Sequence, residues 1–352
     1  PHLDRLAVEG TMATEAMVHV PLTRPSHFSL FTGLLPSQHG IRENVAPGRA
    51  PDAPLFAEVL RAGGFRTAAF VSSIVLASHT GLNRGFDTYG DDFEGAGSEA
   101  HLMSDFQKRG DETVEEAVTW LESNREGPEA EARLFAWIHL YDPHEPYEAP
   151  EPYASRYAER PYDGEVAWTD ELVGRIDAAL TRLALRDQTL LCVTSDHGEG
   201  LGEHREATHG LFIYQSTLAV PLLFRGPGVI PGGRLSVTAR TIDLLPTLLE
   251  LVGVPPPAGT TLPGQSLAGA LRGQEPPPEP LVDAETLEPS LHYGWSDLRS
   301  VREGRWKYIQ APRPELYDLV DDPHERRNLV EVERARMESL QASLEEILAT
   351  EI

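Results

Sequence analysis

Short apolar runs closed by turn-forming residues alternate along the chain with stretches whose apolar positions recur at helical spacing. That alternation is the pattern of strands joined by crossover helices. Residues 65–71, 134–140, 189–194 and 220–224 are nearly continuous apolar runs, as expected of strands buried on both faces of a mostly parallel sheet. Residues 52–62 and 170–183 carry apolar side chains near helical spacing, and both predict helices. Residues 241–252 predict another, with Pro246 at a break or near the first turn. The Pro- and Gly-rich stretch 254–280 reads as a linker or wrapping loop. Beyond it, residues 306–310 predict a strand and residues 331–348 a charged amphipathic helix. The pattern therefore predicts a large α/β domain over residues 1–255, a central sheet flanked by helices, and a small C-terminal α+β domain over 256–352.

A length of 352 residues is enough for a sizeable core. The net charge of -25 argues against nucleic acid as a partner, because a phosphate backbone needs a basic surface. Small anionic substrates stay open, since a bound cation can reverse the field within one pocket. Cys192 is the sole cysteine, so no disulfide can form within the chain. No apolar run reaches the length of a membrane span. The opening, Pro1-His2-Leu3-Asp4-Arg5-Leu6, has no initiator methionine and reads as the middle of a domain, so an upstream segment is expected.

Two stretches carry the chemistry. The first runs from Pro21 to Asn44, P-L-T-R-P-S-H-F-S-L-F-T-G-L-L-P-S-Q-H-G-I-R-E-N. Pro21 and Pro25 favour a loop-to-helix turn that presents Thr23 at a helix N-terminus, where backbone N–H groups favour an anionic ester. A threonine hydroxyl is a weak nucleophile at neutral pH and needs a base or a metal beside it. The second is T-S-D-H-G-E-G-L-G-E-H, Thr194 to His204, directly after an apolar run. There Asp196 and His197 offer a carboxylate and an imidazole to one cation at the C-terminal end of a strand, the edge where ligands converge in α/β sheets. A His directly after Asp196 suits zinc, manganese or calcium, and a harder site would favour calcium.

The first stretch resembles the sulfatases, whose C-x-P-S-R is followed by T-G; here Thr23 stands at the cysteine position and His27 at the arginine position. It is also similar to the nucleotide pyrophosphatase/phosphodiesterases, with Thr23, Pro25, His27, Thr32-Gly33, His39-Gly40 and Asn44 in matching order. The second stretch resembles the D-H-G-E-x-L-G-E-H of sulfatases and phosphoethanolamine transferases. These likenesses imply an alkaline-phosphatase-like sandwich, with Thr23 as nucleophile and a divalent metal ion held by Asp196, His197 and Thr23. They imply that Asn44 binds a non-bridging oxygen of a small anionic ester. His144, in H-L-Y-D-P-H-E-P-Y, would then protonate the leaving group or hold an anionic oxygen, and His209, in A-T-H-G, would contact the substrate's phosphate or a second metal. The reading favours a structural role for His27 and packing for His139, with Asp142 a weaker candidate for a second metal.

The likeness continues through Gly85-Phe86-Asp87, Val220-Pro221-Leu222-Leu223, Thr241 to Thr247, Gly304 to Tyr308 and Glu315 to Leu319. The family's first metal ligands come from an opening strand, and Pro1 to Gly10 matches the segment that follows it. Where sulfatases carry G-K-W-H, residues 71–76 read V-S-S-I-V-L. The expected activity is hydrolysis of sulfate or phosphate esters through a covalent intermediate, with phosphoesters slightly favoured. A phosphoryl-group transferase and a non-catalytic anion-binding protein are the alternatives. Lys307, on a predicted strand, is expected to be solvated.

Overall fold

The computed structural model describes residues 1–45, 51–93, 107–125, 131–257 and 259–349. Its first nine strands are β1 (Thr11–Ala13), β2 (Ala16–Met17), β3 (Phe65–Val71), β4 (Thr88–Gly90), β5 (Arg133–His139), β6 (Leu191–Thr194), β7 (Leu222–Arg225), β8 (Gly233–Leu235) and β9 (Ala239–Arg240). Four more follow: β10 (Leu281–Thr286), β11 (Leu298–Glu303), β12 (Trp306–Gln310) and β13 (Glu315–Asp318).

The chain forms an α/β sandwich. Strands β4, β3 and β5 pair in parallel, β1 pairs in parallel with β8, and β2 with β9. The β6-β7-β1 stretch is antiparallel. Strand β3 is buried at six of its seven positions, as its unbroken apolar run requires of a strand covered on both faces. The helix Pro161–Arg182 starts nine residues before the 170–183 expected from spacing. Pro161 sits in its first turn, where the missing N–H costs nothing. Strand β7 begins after Pro221, which cannot donate to a ladder. The helix Phe56–Ala62 starts where the Glu58 carboxylate accepts the Leu55 N–H at 2.8 Å.

Strands β10 to β13 make a four-stranded antiparallel meander. Alternation along β12 decides what each face meets. Tyr308 joins Val301, Leu316, Leu340 and Leu344 under the C-terminal helix Arg334–Ala349. Ile309 faces the other way, into the core that also holds Val18, Ile213, Leu218, Phe224 and Leu244. Lys307 is two residues from Ile309 and shares its face. It is fully buried, not solvated as the sequence suggested. The meander is thus fused to the main body through a shared apolar core, whose burial is the dominant stabilising term.

Candidate active site

The helix Thr23–Thr32 begins after Leu22, which is extended at φ -140° and ψ 136°. Thr23 is its first residue and is buried. Ser26 Oγ donates to the Asp196 carbonyl at 2.5 Å and ties this helix to the turn after β6. That turn needs glycine at 198, because a Cβ there would lie 2.2 Å from the Ser216 carbonyl oxygen. A cavity of about 70 Å³ lies at the junction, lined among others by Thr23, His139, Tyr141, His144, Asp196, His197 and Glu199. It holds on the order of five water-sized positions, the scale of one sulfuryl or phosphoryl group.

Thr23 Oγ1 is 3.2 Å from His197 Nε2. The neighbouring contact defines the tautomer. His197 Nδ1 faces the Gly198 carbonyl at 2.9 Å; a carbonyl only accepts, so Nδ1 carries the hydrogen and Nε2 presents its lone pair to Thr23. The same logic applies around the cavity. His27 Nδ1 meets the Thr23 carbonyl at 2.7 Å, His144 Nδ1 the Glu145 carbonyl at 2.6 Å, and His209 Nδ1 the Pro21 carbonyl at 3.1 Å. Each of these rings therefore carries its hydrogen on Nδ1 and its lone pair on Nε2; in His27 it is Nδ1 that lies 3.6 Å from Asp196 Oδ2. His144 Nε2 and His209 Nε2 are 3.2 Å apart, a contact between two acceptors that is satisfied when one of them is protonated.

Burial pushes the Asp196 carboxyl up, but the imidazoles of His197, His27, His139 and His209 outweigh it and hold the group below the ordinary carboxylate range. Burial lowers His27, His144 and His209, the last well below the usual histidine value. His139 is pushed down to about 3, first by burial and then by His27. Glu199 is pushed up to about 8 by burial and by Glu145, Glu206, Asp196 and Glu165.

Asp196 Oδ2 lies 3.5 Å from His197 Nε2. With the 3.2 Å between Thr23 Oγ1 and the same nitrogen, these are the edges an octahedral cation needs, since bonds of about 2.1–2.5 Å place adjacent donors roughly 3.0–3.5 Å apart. A second donor set shares the same carboxylate: His27, His139 and Asp196 each offer one ligand atom, all within 4.8 Å of one another. His139 Nδ1 is buried with no hydrogen-bond partner, a state that costs free energy unless a ligand or solvent satisfies it. His144, Glu199 and His209 make a second group within the same limit. Both donor sets at Asp196 fit a divalent ion.

The sulfatase family model matches residues 1–254, and the model for the C-terminal part of N-sulphoglucosamine sulphohydrolase matches residues 202–352. The chain belongs to the sulfatase family. This sulfatase-family chain is 36% identical to a choline-sulfatase of Rhizobium meliloti over 179 residues, which are 50% of the chain and 34% of that protein. It is 26% identical to a delta 4,5-hexuronate-2-O-sulfatase of Bacteroides thetaiotaomicron, covering 93% of the chain and 78% of that protein. The chain spans about a third of the length of the choline-sulfatase. In fold it matches the phosphonate monoester hydrolase of Agrobacterium radiobacter with a TM-score of 0.80 at 21% identity, over 100% of this chain and 91% of that one.

Of the residues singled out from sequence, the fold of this sulfatase relative brings Thr23, Asp196, His197, His144 and His209 together. The His197 and His209 ring centroids are 4.0 Å apart. Asn44 stands one step back: its Oδ1 accepts the Arg24 N–H at 2.9 Å, beside Thr23 rather than in the cavity lining. Asp142 lines the cavity, but the donor groups gathered among the described residues do not include it. The histidines read as structural are different. His27 and His139 flank Asp196, and their available signal was position, His139 ending a strand only five residues before His144. Glu199 lay within the quoted motif but was given no role. Ser72, in the segment that departs from G-K-W-H, donates its Oγ to the His139 carbonyl at 2.9 Å.

Proposed function

We propose that this protein is a metal-dependent hydrolase of small sulfate or phosphate esters, with Thr23 as the nucleophile. The observation that carries the reading is the 3.2 Å contact of Thr23 Oγ1 with His197 Nε2, whose lone pair is aimed at the hydroxyl by the Gly198 carbonyl. That lone pair can take either the hydroxyl's proton or a cation, and a cation shared by the two atoms would make the alcohol nucleophilic.

A divalent zinc, manganese or calcium ion on Asp196, His197 and Thr23, with His27 and His139 near the same carboxylate, would supply Lewis acidity at the ester oxygens and lower the pKa of the Thr23 hydroxyl. The chain's own residues do the rest. Thr23 Oγ, its proton released to solvent, attacks sulfur or phosphorus, and the bond to the leaving alcohol oxygen breaks. His144 or His209, when protonated at Nε2, would give that oxygen its proton readily, because burial disfavours the charged imidazole. Asn44, anchored on the Arg24 N–H, would place its amide near a non-bridging oxygen. Water then attacks the central atom of the Thr23 ester and frees the threonine. Because a threonine ester can be released only by such an attack, phosphoesters are placed slightly ahead of sulfate esters. We read residues 1–255 as the catalytic unit and 256–352 as the smaller unit that supports it.

The test is turnover of nitrophenyl phosphate, a bis-nitrophenyl phosphodiester and nitrophenyl sulfate by the purified protein under each metal, beside Thr23→Ala. Metal-dependent turnover that disappears in the variant is the expected result. Turnover that survives it removes Thr23 from the mechanism, and a protein that binds divalent metal but turns over none of the esters is a binding relative.

A further inference from the structure

Lys307 has no role in the chemistry just described, yet it is one of the largest fully buried side chains and carries a charge. Its ammonium donates to the Ile213 carbonyl at 2.6 Å, to the Glu325 carboxylate at 2.7 Å and toward Gln215 Oε1 at 3.4 Å. The other Glu325 oxygen accepts the Gln215 N–H at 2.6 Å. Both members of the pair have 0% side-chain exposure. Glu325 holds a left-handed backbone, φ 52°, which a residue with a Cβ adopts only when its surroundings enforce it. A buried ion pair is weak evidence for stability, because desolvation offsets its attraction. Its directionality is what remains, and here all its bonds converge on residues 213–215.

That segment follows His209. Other groups of the meander hold the same stretch. Thr286 Oγ1, on β10, donates to the Gly210 carbonyl at 2.5 Å. Tyr214 donates to Glu315, on β13, at 2.9 Å. Gly210 has φ 101°, so the turn between His209 and the clamped residues has a backbone that only glycine takes up readily. The Nε2 of His209 must meet His144 to within hydrogen-bond distance, and a misplacement of about 1 Å in such a group can cost on the order of a hundred-fold in rate.

We infer that Lys307, with Glu325, is a positioning residue: the C-terminal meander reaches into the main body through this buried pair and sets where His209 stands. The inference rests on the proposed function in taking His209 as a group that meets the ester. It assigns the small C-terminal unit a part in turnover that burial of apolar surface alone would not give it.

The test compares the full-length protein with Lys307→Met/Glu325→Leu, which removes both charges together so that no uncompensated buried charge prevents folding. Leu340→Ala is the control, since Leu340 packs on the far face of the same meander. Each is measured for melting temperature, for kcat and KM on the nitrophenyl ester turned over best, and for the His209 imidazole resonance, assigned by its loss in His209→Gln. The expected result is a folded double variant whose kcat falls about ten- to a hundred-fold with a smaller change in KM, and whose His209 resonance moves. The control melts lower with kcat and the resonance unchanged. A folded double variant with kcat within about two-fold of the parent, or with the His209 resonance unmoved, overturns the inference. If the parent turns over no ester, the proposed function fails, and the resonance by itself decides whether Lys307 positions His209.

Discussion

Thr23→Val is the sharpest probe of the site, because it replaces a hydroxyl with a methyl of nearly the same volume. The side chain is buried and its hydroxyl contacts His197 Nε2 at 3.2 Å. The variant leaves that nitrogen without its partner, a cost of about 1–3 kcal/mol for a buried acceptor. At roughly 2–4 °C of melting temperature per kcal/mol, a drop of about 2–12 °C is expected and the protein remains folded at 25 °C. Turnover should respond on another scale, since removing the nucleophile from a hydrolase whose groups act as a unit costs on the order of 10⁴–10⁶ in kcat. Thr23→Ser keeps the hydroxyl and should keep the order of magnitude of the rate. The assay is steady-state hydrolysis of the nitrophenyl esters, with melting followed on the same preparations. A Val variant that retains kcat within about ten-fold of the parent would show that the hydroxyl does not form the covalent bond.

Three further outcomes follow from the geometry. Stripping divalent metal by chelation should abolish turnover, with zinc, manganese or calcium restoring it; full activity in metal-free protein refutes the ligand assignment at Asp196 and His197. Gly198→Ala should cost activity and stability together, because its Cβ would lie 2.2 Å from the Ser216 carbonyl oxygen; a variant that melts and turns over like the parent would mean that the turn after β6 is not held as described. His39 is pushed down to about 3 by burial and then by Arg42; its Nδ1 accepts the Ile41 N–H at 3.1 Å, a bond that protonation would break. Between pH 6.5 and 5 the unfolded chain takes up a proton that the folded state refuses, so stability falls on acidification by at most about 2 kcal/mol from this group. Urea midpoints at pH 7 and 5 should show that loss shrinking in His39→Gln, and an unchanged pH dependence contradicts the assignment.

The amino-acid sequence by itself determined the class of fold and the two segments that meet at the site. Burial on both faces writes itself into the apolar run of residues 65–71, which is a strand from end to end. The threonine-proline segment and the Asp-His-Gly turn are local in sequence, so their side chains are presented by a helix start and a strand end that a few residues specify. Other things were decided only by tertiary structure. Residues 23, 139, 144, 196, 197 and 209 become neighbours because β5 and β6 end, and the helix Thr23–Thr32 begins, at one place; sequence spacing contains no such distance. His27 and His139 read as packing residues because a buried histidine and a metal-ligating one present the same local pattern; only the fold shows that they lie beside Asp196. Lys307 was expected to be solvated because a lone lysine on a strand usually is. Its partner Glu325 and its acceptor, the Ile213 carbonyl, are 18 and 94 residues away, and that pairing exists only once the meander has folded onto the main body.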